Sequence, residues 1–326
     1  MKVCIFGAGA VGSHVAARLA AAGADDISVV GRGAHLKAIQ EKGITLRQYG
    51  GGELSGRPAV ATDDPSSLPP QDLLIVALKG TALPGVAATL EKLLAPKGWA
   101  VFLLNGIPWW WPQGLPGSPG PLPLLDPDGA LWNKLRERTL GCVVNSPNDL
   151  VEPGVIVHVG RCRFTIGEPD GSNSERANRT AEVFRRGGME AVVSADLRRE
   201  IWNKLLLNAS GNTLSALTRL SPADLGADPG QRRIVANIMH ETLAVAAALG
   251  WDLRSEVNVD QLSCRKDRIP GVRLSMMQDV AHRRPMEVEA LLGQTQAFAR
   301  EKGVPTPTID IILPLLRGLD QSFRTA

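Results

Sequence analysis

The chain has 326 residues, 44% of them hydrophobic, which is enough for about two domains of roughly 150 residues with sizeable cores. Its formal net charge is only +3, with the basic residues scattered, so no nucleic-acid-binding arm is expected; no apolar run reaches the ~18 residues that span a bilayer, so no membrane partner is expected either. The cysteines Cys4, Cys142, Cys162 and Cys264 lie too far apart for metal-type pairs and fit reduced thiols in a cytoplasmic protein.

The first thirty-odd residues set the frame. Residues 3–6 are a short apolar run, and Gly7, Gly9 and Gly12 follow at G-x-G-x-x-G spacing. An alanine-rich helical stretch begins at Ser13, and residues 27–30 are a second apolar run. Strand, tight turn, helix, strand is the opening unit of a dinucleotide-binding fold. Gly7 permits the turn, Gly9 lets backbone N–H groups approach a pyrophosphate, and Gly12 allows the helix to pack closely on the strand. The pyrophosphate would sit at the helix N-terminus, with Ala8, Ala10 and Val11 completing the loop.

Further βα units follow. Residues 34–42 read as a helix, 72–78 as a strand buried on both faces, 82–94 as a helix and 100–104 as a strand running into Asn105-Gly106. Such alternation implies a Rossmann-type, doubly wound parallel sheet with ligands beyond the C-terminal ends of the strands. Residues 108–129 break the pattern, with Trp109-Trp110-Trp111 followed by a Pro/Gly-rich stretch that reads as an extended loop or lid. Segments 139–144, 155–159 and 163–166 look like strands that add an antiparallel edge. Beyond them helices dominate: 174–186, 197–217, 231–249, 272–282, 286–302 and 308–319, with one strand at 189–193. The expected division is a dinucleotide-binding domain at 1–171 and a mostly α-helical domain at 172–326.

Three stretches carry candidate chemistry. Arg32 ends the second strand, where an NAD site usually has Asp or Glu for the ribose 2′-hydroxyl. An arginine there can pair with a 2′-phosphate, which favours NADP, and Lys79 could reach the same phosphate. Lys204, Asn208 and Asn212, at i, i+4, i+8, form one polar stripe on a helix whose leucines 205–207 are apolar. Such a stripe faces a cleft, a partner or water, or is a surface pair of Glu200 with Lys204 among ordinary polar neighbours. Pro285 would start a helix, with Glu287 in its first turn.

Taken together these pieces resemble the ketopantoate reductase (2-dehydropantoate 2-reductase) family. The matching residues are Gly7-Ala-Gly-Ala-Val-Gly12, Ala77-Leu-Lys79, Leu104-Asn105-Gly106, Glu200-Ile-Trp-Asn-Lys204-Leu-Leu-Leu-Asn208 with Asn212, Ser275-Met-Met-Gln-Asp279, and Glu287. The resemblance implies Lys204 as the general acid that protonates the ketone oxygen, its pKa lowered by burial beside the cofactor, and Glu287 as a hydrogen-bonding partner of the substrate. It implies Asn208, Asn212 and Ser275 as ligands of the substrate's hydroxyl and carboxylate, and Asn105 at the nicotinamide–substrate junction. Arg32 and Lys79 would hold the 2′-phosphate of NADP(H). The expected activity is NADPH-dependent reduction of 2-dehydropantoate to pantoate, in a cleft between the domains.

The tryptophan run is a departure from the plainest family members. It would shape or cover the substrate site, or pack on the second domain or a partner subunit, and it keeps a bulkier keto or imino acid open as substrate. Arg283 and Arg284 are candidates for a carboxylate clamp. A non-catalytic NADP-binding sensor is the alternative from another class, though it would need no Lys204–Glu287 pair. Partners are a small keto acid and at most a second copy of the chain as a homodimer.

Overall fold

A computed structural model describes residues 1–23, 26–118, 120–264 and 274–324. The chain divides into two compact units. The first comprises Met1–Leu104 and Trp109–Leu197; the second comprises Asn105–Pro108 and Arg198–Ala326.

In the first unit the strands are β1 (Val3–Phe6), β2 (Ile27–Val30), β3 (Ile44–Gln48), β4 (Glu53–Gly56), β5 (Val60–Thr62), β6 (Gln71–Val76), β7 (Leu94–Leu104), β8 (Thr139–Asn145), β9 (Asn148–Glu152), β10 (Val155–His158), β11 (Arg163–Gly167) and β12 (Glu190–Val193). The helices are α1 (Ala10–Ala21), α2 (Gly33–Lys42), α3 (Ala87–Leu93), α4 (Ala130–Leu135) and α5 (Glu175–Arg186). Eight strands form one sheet in the order β12-β11-β8-β7-β6-β1-β2-β5. All its pairings are parallel except β8 with β11. The chain leaves β1 for β2 on one side and later returns to β6 on the other. That reversal of strand order is where a doubly wound sheet opens a crevice for ligand. All four residues of β1 are buried, which explains its unbroken apolar run.

Several local expectations change. Pro84 and Gly85 break the helix expected at 82–94 into two 3-10 turns and a short α3. The strands at 139–166 do not make a simple antiparallel edge. β8 continues the parallel order, β11 alone runs antiparallel to it, and β10 joins a second sheet of order β4-β3-β10-β9. This second sheet packs on α1, and Gly56 lets β4 come so close that a Cβ there would overlap the Ala17 carbonyl. Because β12 is the edge strand of the large sheet, α5 and β12 lie in the first unit and the units divide at Leu197, beyond the expected 171/172.

The three tryptophans follow the excursion at 105–108 and are buried, each at most 2% exposed. Trp109 meets Phe102 edge-on at 5.3 Å. Gly141 makes room for Trp110, since a Cβ would overlap its ring. The Pro/Gly-rich stretch after them runs mainly as turns, with Asp126 capping α4 through the N–H groups of Leu131 and Trp132.

In the second unit the helices are α6 (Leu197–Leu207), α7 (Thr213–Thr218), α8 (Pro222–Ala227), α9 (Pro229–Ala248), α10 (Val259–Ser263), α11 (Ser275–Ala281), α12 (Gln294–Lys302) and α13 (Pro307–Arg324), with Leu197 itself in the first unit. The start of the helix expected at 272–282 lies outside the described residues. Two π-helical turns interrupt the long helices, at Asn208–Asn212 and at Glu289–Gly293, and they pack on each other. Glu287 therefore precedes its helix as a cap residue, its carbonyl accepting from Leu291 N, rather than lying in the first turn. Glu241 reaches from α9 to accept the N–H groups of Thr308 and Ile309, which caps α13.

Candidate active site

The glycine loop lies at the reversal point of the large sheet, with each glycine in a distinct steric setting. Gly7 has φ +111°, and a Cβ there would meet Leu78 Cδ2 at 2.8 Å. A Cβ on Gly12 would overlap the Gly7 carbonyl, so α1 can follow β1 this closely only without one. Gly9 is different: it is exposed and a Cβ on it would meet nothing within 4 Å, so its requirement is for open approach rather than packing. Gly9 is also the N-cap of α1, and no side chain caps that end. The first-turn N–H groups of α1 therefore have no side-chain cap, as an anion site at a helix N-terminus requires. Gly7 N and Ala8 N both donate to Val30 O, at 3.0 and 3.1 Å, which ties the loop to the end of β2.

That tie brings Arg32 beside the loop. Arg32 is the exposed N-cap of α2, directly after Gly31, where a Cβ would meet that of Ala8 at 2.9 Å. Lys79 is half-buried just beyond β6, on the other side of β1. An uncapped helix N-terminus, an open glycine and an arginine at the end of β2 fit a dinucleotide with a phosphorylated ribose.

The far end of α1's first turns carries an unusual buried cluster. His14 is fully buried, and its Nε2 accepts from Arg18 Nε at 3.0 Å, which puts the ring proton on Nδ1. Its ring meets that of His158 edge-on at 4.6 Å. Burial first, then the charges of His158 and Arg18, push its pKa down to about 3, against a hydrogen bond with Asn148.

In the second unit three of the expected residues form one continuous chain. Lys204 Nζ donates to Asn105 Oδ1 at 2.5 Å. Asn105 Nδ2 donates to Glu287 Oε2 at 3.2 Å. The asparagine is thereby oriented by chemistry: its carbonyl faces an ammonium and its amide faces a carboxylate. Glu287 is 8% exposed. Asn105 is held by its own loop, because Ile107 N donates to Ala290 O at 2.8 Å inside the second π turn. Gly106, at φ +73°, allows that contact, since a Cβ would overlap the Ala290 carbonyl. This anchoring by Ala290 was not foreseen; the one signal for it was a glycine directly after Asn105.

Asn208 and Asn212 begin and end the first π turn. A π turn rotates less per residue than an α turn, so it keeps Lys204, Asn208 and Asn212 closer to one line than the α-helical reading requires. Asn212 is 4% exposed, and its Oδ1 has no hydrogen-bond partner among the described residues. Ser275 is exposed at the first turn of α11, and the neighbouring Leu274 comes close to Gly211 of the π turn. Arg283 is engaged elsewhere: it lies over Phe323 at 5.6 Å and donates to Ser322 O. Arg284 is exposed.

Residues 3–109 match the family model "Ketopantoate reductase PanE/ApbA", and residues 196–320 match "Ketopantoate reductase PanE/ApbA C terminal". A 2-dehydropantoate 2-reductase of Mesorhizobium japonicum is 40% identical over 322 residues, covering 98% of each chain. The chain belongs to the ketopantoate reductase family. As a ketopantoate reductase family member it is an oxidoreductase of the kind that works with a nicotinamide cofactor. A crystal structure of a proposed ketopantoate reductase from Ralstonia solanacearum MolK2 shares the fold with a TM-score of 0.89 and 35% identity, over 99% of this chain and 98% of that one. D-mandelate dehydrogenase, solved with NADH and anilino(oxo)acetate, shares the fold alone at 22% identity and a TM-score of 0.83, over 99% of this chain and all of that one, 100%. Among the described residues no helix is long and apolar enough to cross a membrane.

Proposed function

We propose that this family member is an NADPH-dependent 2-dehydropantoate 2-reductase, producing pantoate for pantothenate biosynthesis in the cytoplasm. The observation that carries the reading is the chain from Lys204 through Asn105 to Glu287. The names of its relatives, in M. japonicum and in Halobacterium salinarum at 30% identity, support the choice of substrate.

In this reading the first unit binds NADP(H), with Gly7–Gly12 at the pyrophosphate and Arg32 and Lys79 at the 2′-phosphate. The bound nicotinamide supplies the hydride. Reduction of the ketone builds negative charge on its oxygen, and the Lys204 ammonium stabilises that charge and then gives up the proton that completes the alcohol. Asn105 fixes the end of the flexible lysine stem, so less of the barrier goes into ordering it. Glu287 holds the other end of Asn105 and accepts a hydrogen bond from the substrate. Asn208, Asn212 and Ser275 bind the substrate's hydroxyl and carboxylate. The buried Asn212 Oδ1 is an acceptor that a substrate hydroxyl would satisfy, which favours a hydroxylated keto acid.

The tryptophan rings are each at most 2% exposed, so they offer little surface to a bulkier keto or imino acid. A non-catalytic NADP-binding sensor leaves the Lys204–Asn105–Glu287 chain without a role. The test follows absorbance of the reduced cofactor with 2-dehydropantoate, with a keto acid that lacks the hydroxyl, and with a bulky aromatic keto acid. No turnover with any of them removes the reductase reading; faster turnover of the aromatic acid removes only the substrate.

A further inference from the structure

The segment that carries Glu287 is gripped from outside the site by the last turns of α13. Met286 N, next to Glu287 in the chain, donates to Asp320 Oδ1 at 2.6 Å. On the other side, Glu289 makes a two-pronged pair with Arg317, at 2.8 Å to Nε and 2.7 Å to Nη2. Gly293 permits that pair, because a Cβ there would overlap the Glu289 carboxylate folded across it. A third tie lies upstream, where Arg283, at φ +51°, donates to Ser322 O at 3.3 Å.

These ties differ in weight. Glu289 and Arg317 are partly exposed, at 31% and 44%, so solvent screens their pair and it contributes little alone. Asp320 is 7% exposed and Met286 only 1%. Burying a carboxylate is unfavourable unless something specific holds it, and the Met286 N–H would be left unsatisfied without it. The contacts fall at positions −1 and +2 relative to Glu287, so together they fix where its backbone emerges.

The geometry points to Asp320 and Arg317 as positioning residues for Glu287. The inference rests on the reductase reading for Glu287's role. It adds that the last turns of the chain, which contribute no group to the reaction, determine how well Glu287 meets Asn105 and the substrate.

The test compares wild type, Asp320→Ala, Asp320→Asn and Arg317→Gln by kinetics and by amide hydrogen exchange over residues 284–292. Asp320→Ala is expected to lower kcat for the keto acid at least tenfold, to leave the NADPH Kd within twofold, and to speed exchange in that segment. Asp320→Asn keeps an oxygen to accept from Met286 N and is expected to recover most of the kcat. Arg317→Gln, at a half-exposed position that leaves the core intact, is expected to lower kcat about threefold; it carries the test if Asp320→Ala does not fold. A folded Asp320→Ala with unchanged exchange, or with faster exchange and unchanged kcat, overturns the inference, as does an Asp320→Asn no better than the alanine variant. If wild type turns over no keto acid, the functional reading fails separately, and the exchange comparison alone decides whether Asp320 fixes the segment.

Discussion

Lys204 and Asn105 are 99 residues apart in sequence, yet the lysine ammonium lies 2.5 Å from the asparagine carbonyl. The asparagine carbonyl thus fixes one contact of the ammonium and sets the direction of the lysine stem. Lys204→Ala is expected to lower kcat by ~10²–10⁴, the usual contribution of a positioned general acid, while NADPH affinity is unchanged. Full activity in this variant would exclude Lys204 as the acid. Asn105→Ala should cost roughly tenfold to a hundredfold in kcat, the worth of about one charge-assisted hydrogen bond at ~1.5–3 kcal/mol.

Gly106→Ala probes the same asparagine through its backbone. The left-handed conformation costs a non-glycine residue ~1–2 kcal/mol, and the new Cβ meets the Ala290 carbonyl. The loop must shift and Asn105 with it, so kcat should fall at least as far as in Asn105→Ala. Adding Ala290→Gly should not restore it, because the obstructing carbonyl belongs to the backbone. Recovery in the double variant would show that side-chain crowding was the cause.

Arg32 predicts cofactor preference. Removing its guanidinium by Arg32→Ala should raise the KM for NADPH by ~10–100-fold, a charge-assisted contact of ~1.5–3 kcal/mol, and leave that for NADH nearly unchanged. Equal effects on the two cofactors would mean that the arginine does not read the 2′-phosphate. The NADPH effect should also shrink in high salt, because Arg32 is exposed.

His14 predicts how stability depends on pH. Its folded pKa of about 3 lies below the unfolded value of 6.5, so the folded state favours the neutral ring. The stability it contributes is fully present above pH 6.5 and is lost as pH falls from there toward 3, at ~1.4 kcal/mol per unit. His35 and His158 are shifted down by burial too, so they act in the same direction. Urea midpoints measured across this range should fall with acid, and His14→Phe should flatten the curve. An unaltered slope in that variant would assign the acid sensitivity to other groups.

Much of the fold was legible because parallel strands such as β1 and β6 are buried on both faces and write continuous apolar runs. The second sheet was harder to see. β3 alternates only over Ile44 and Leu46, too short a pattern to separate a strand from a loop. The spacing told that Lys204, Asn208 and Asn212 would share one stripe, but not that a π turn would carry two of them. Asp320 and Arg317 were invisible, since on an amphipathic helix a charged residue that grips a distant segment looks like one that faces water. The tryptophan run stayed open for a related reason: composition marks a residue as unusual without saying what it packs against.

Residues 105–108 belong to the second unit, although the chain on both sides of them belongs to the first. The unit that holds Lys204 and Glu287 is therefore not a continuous stretch of gene. A fragment starting at Arg198 would keep Lys204 and Glu287 but lack the asparagine that joins them. Any chimera made with a relative by exchange at that boundary would pair one parent's 105–108 loop with the other's Ala290 turn. Such hybrids would work only where loop and turn are exchanged together, which makes this short excursion, rather than the domain boundary, the true unit of inheritance for the site.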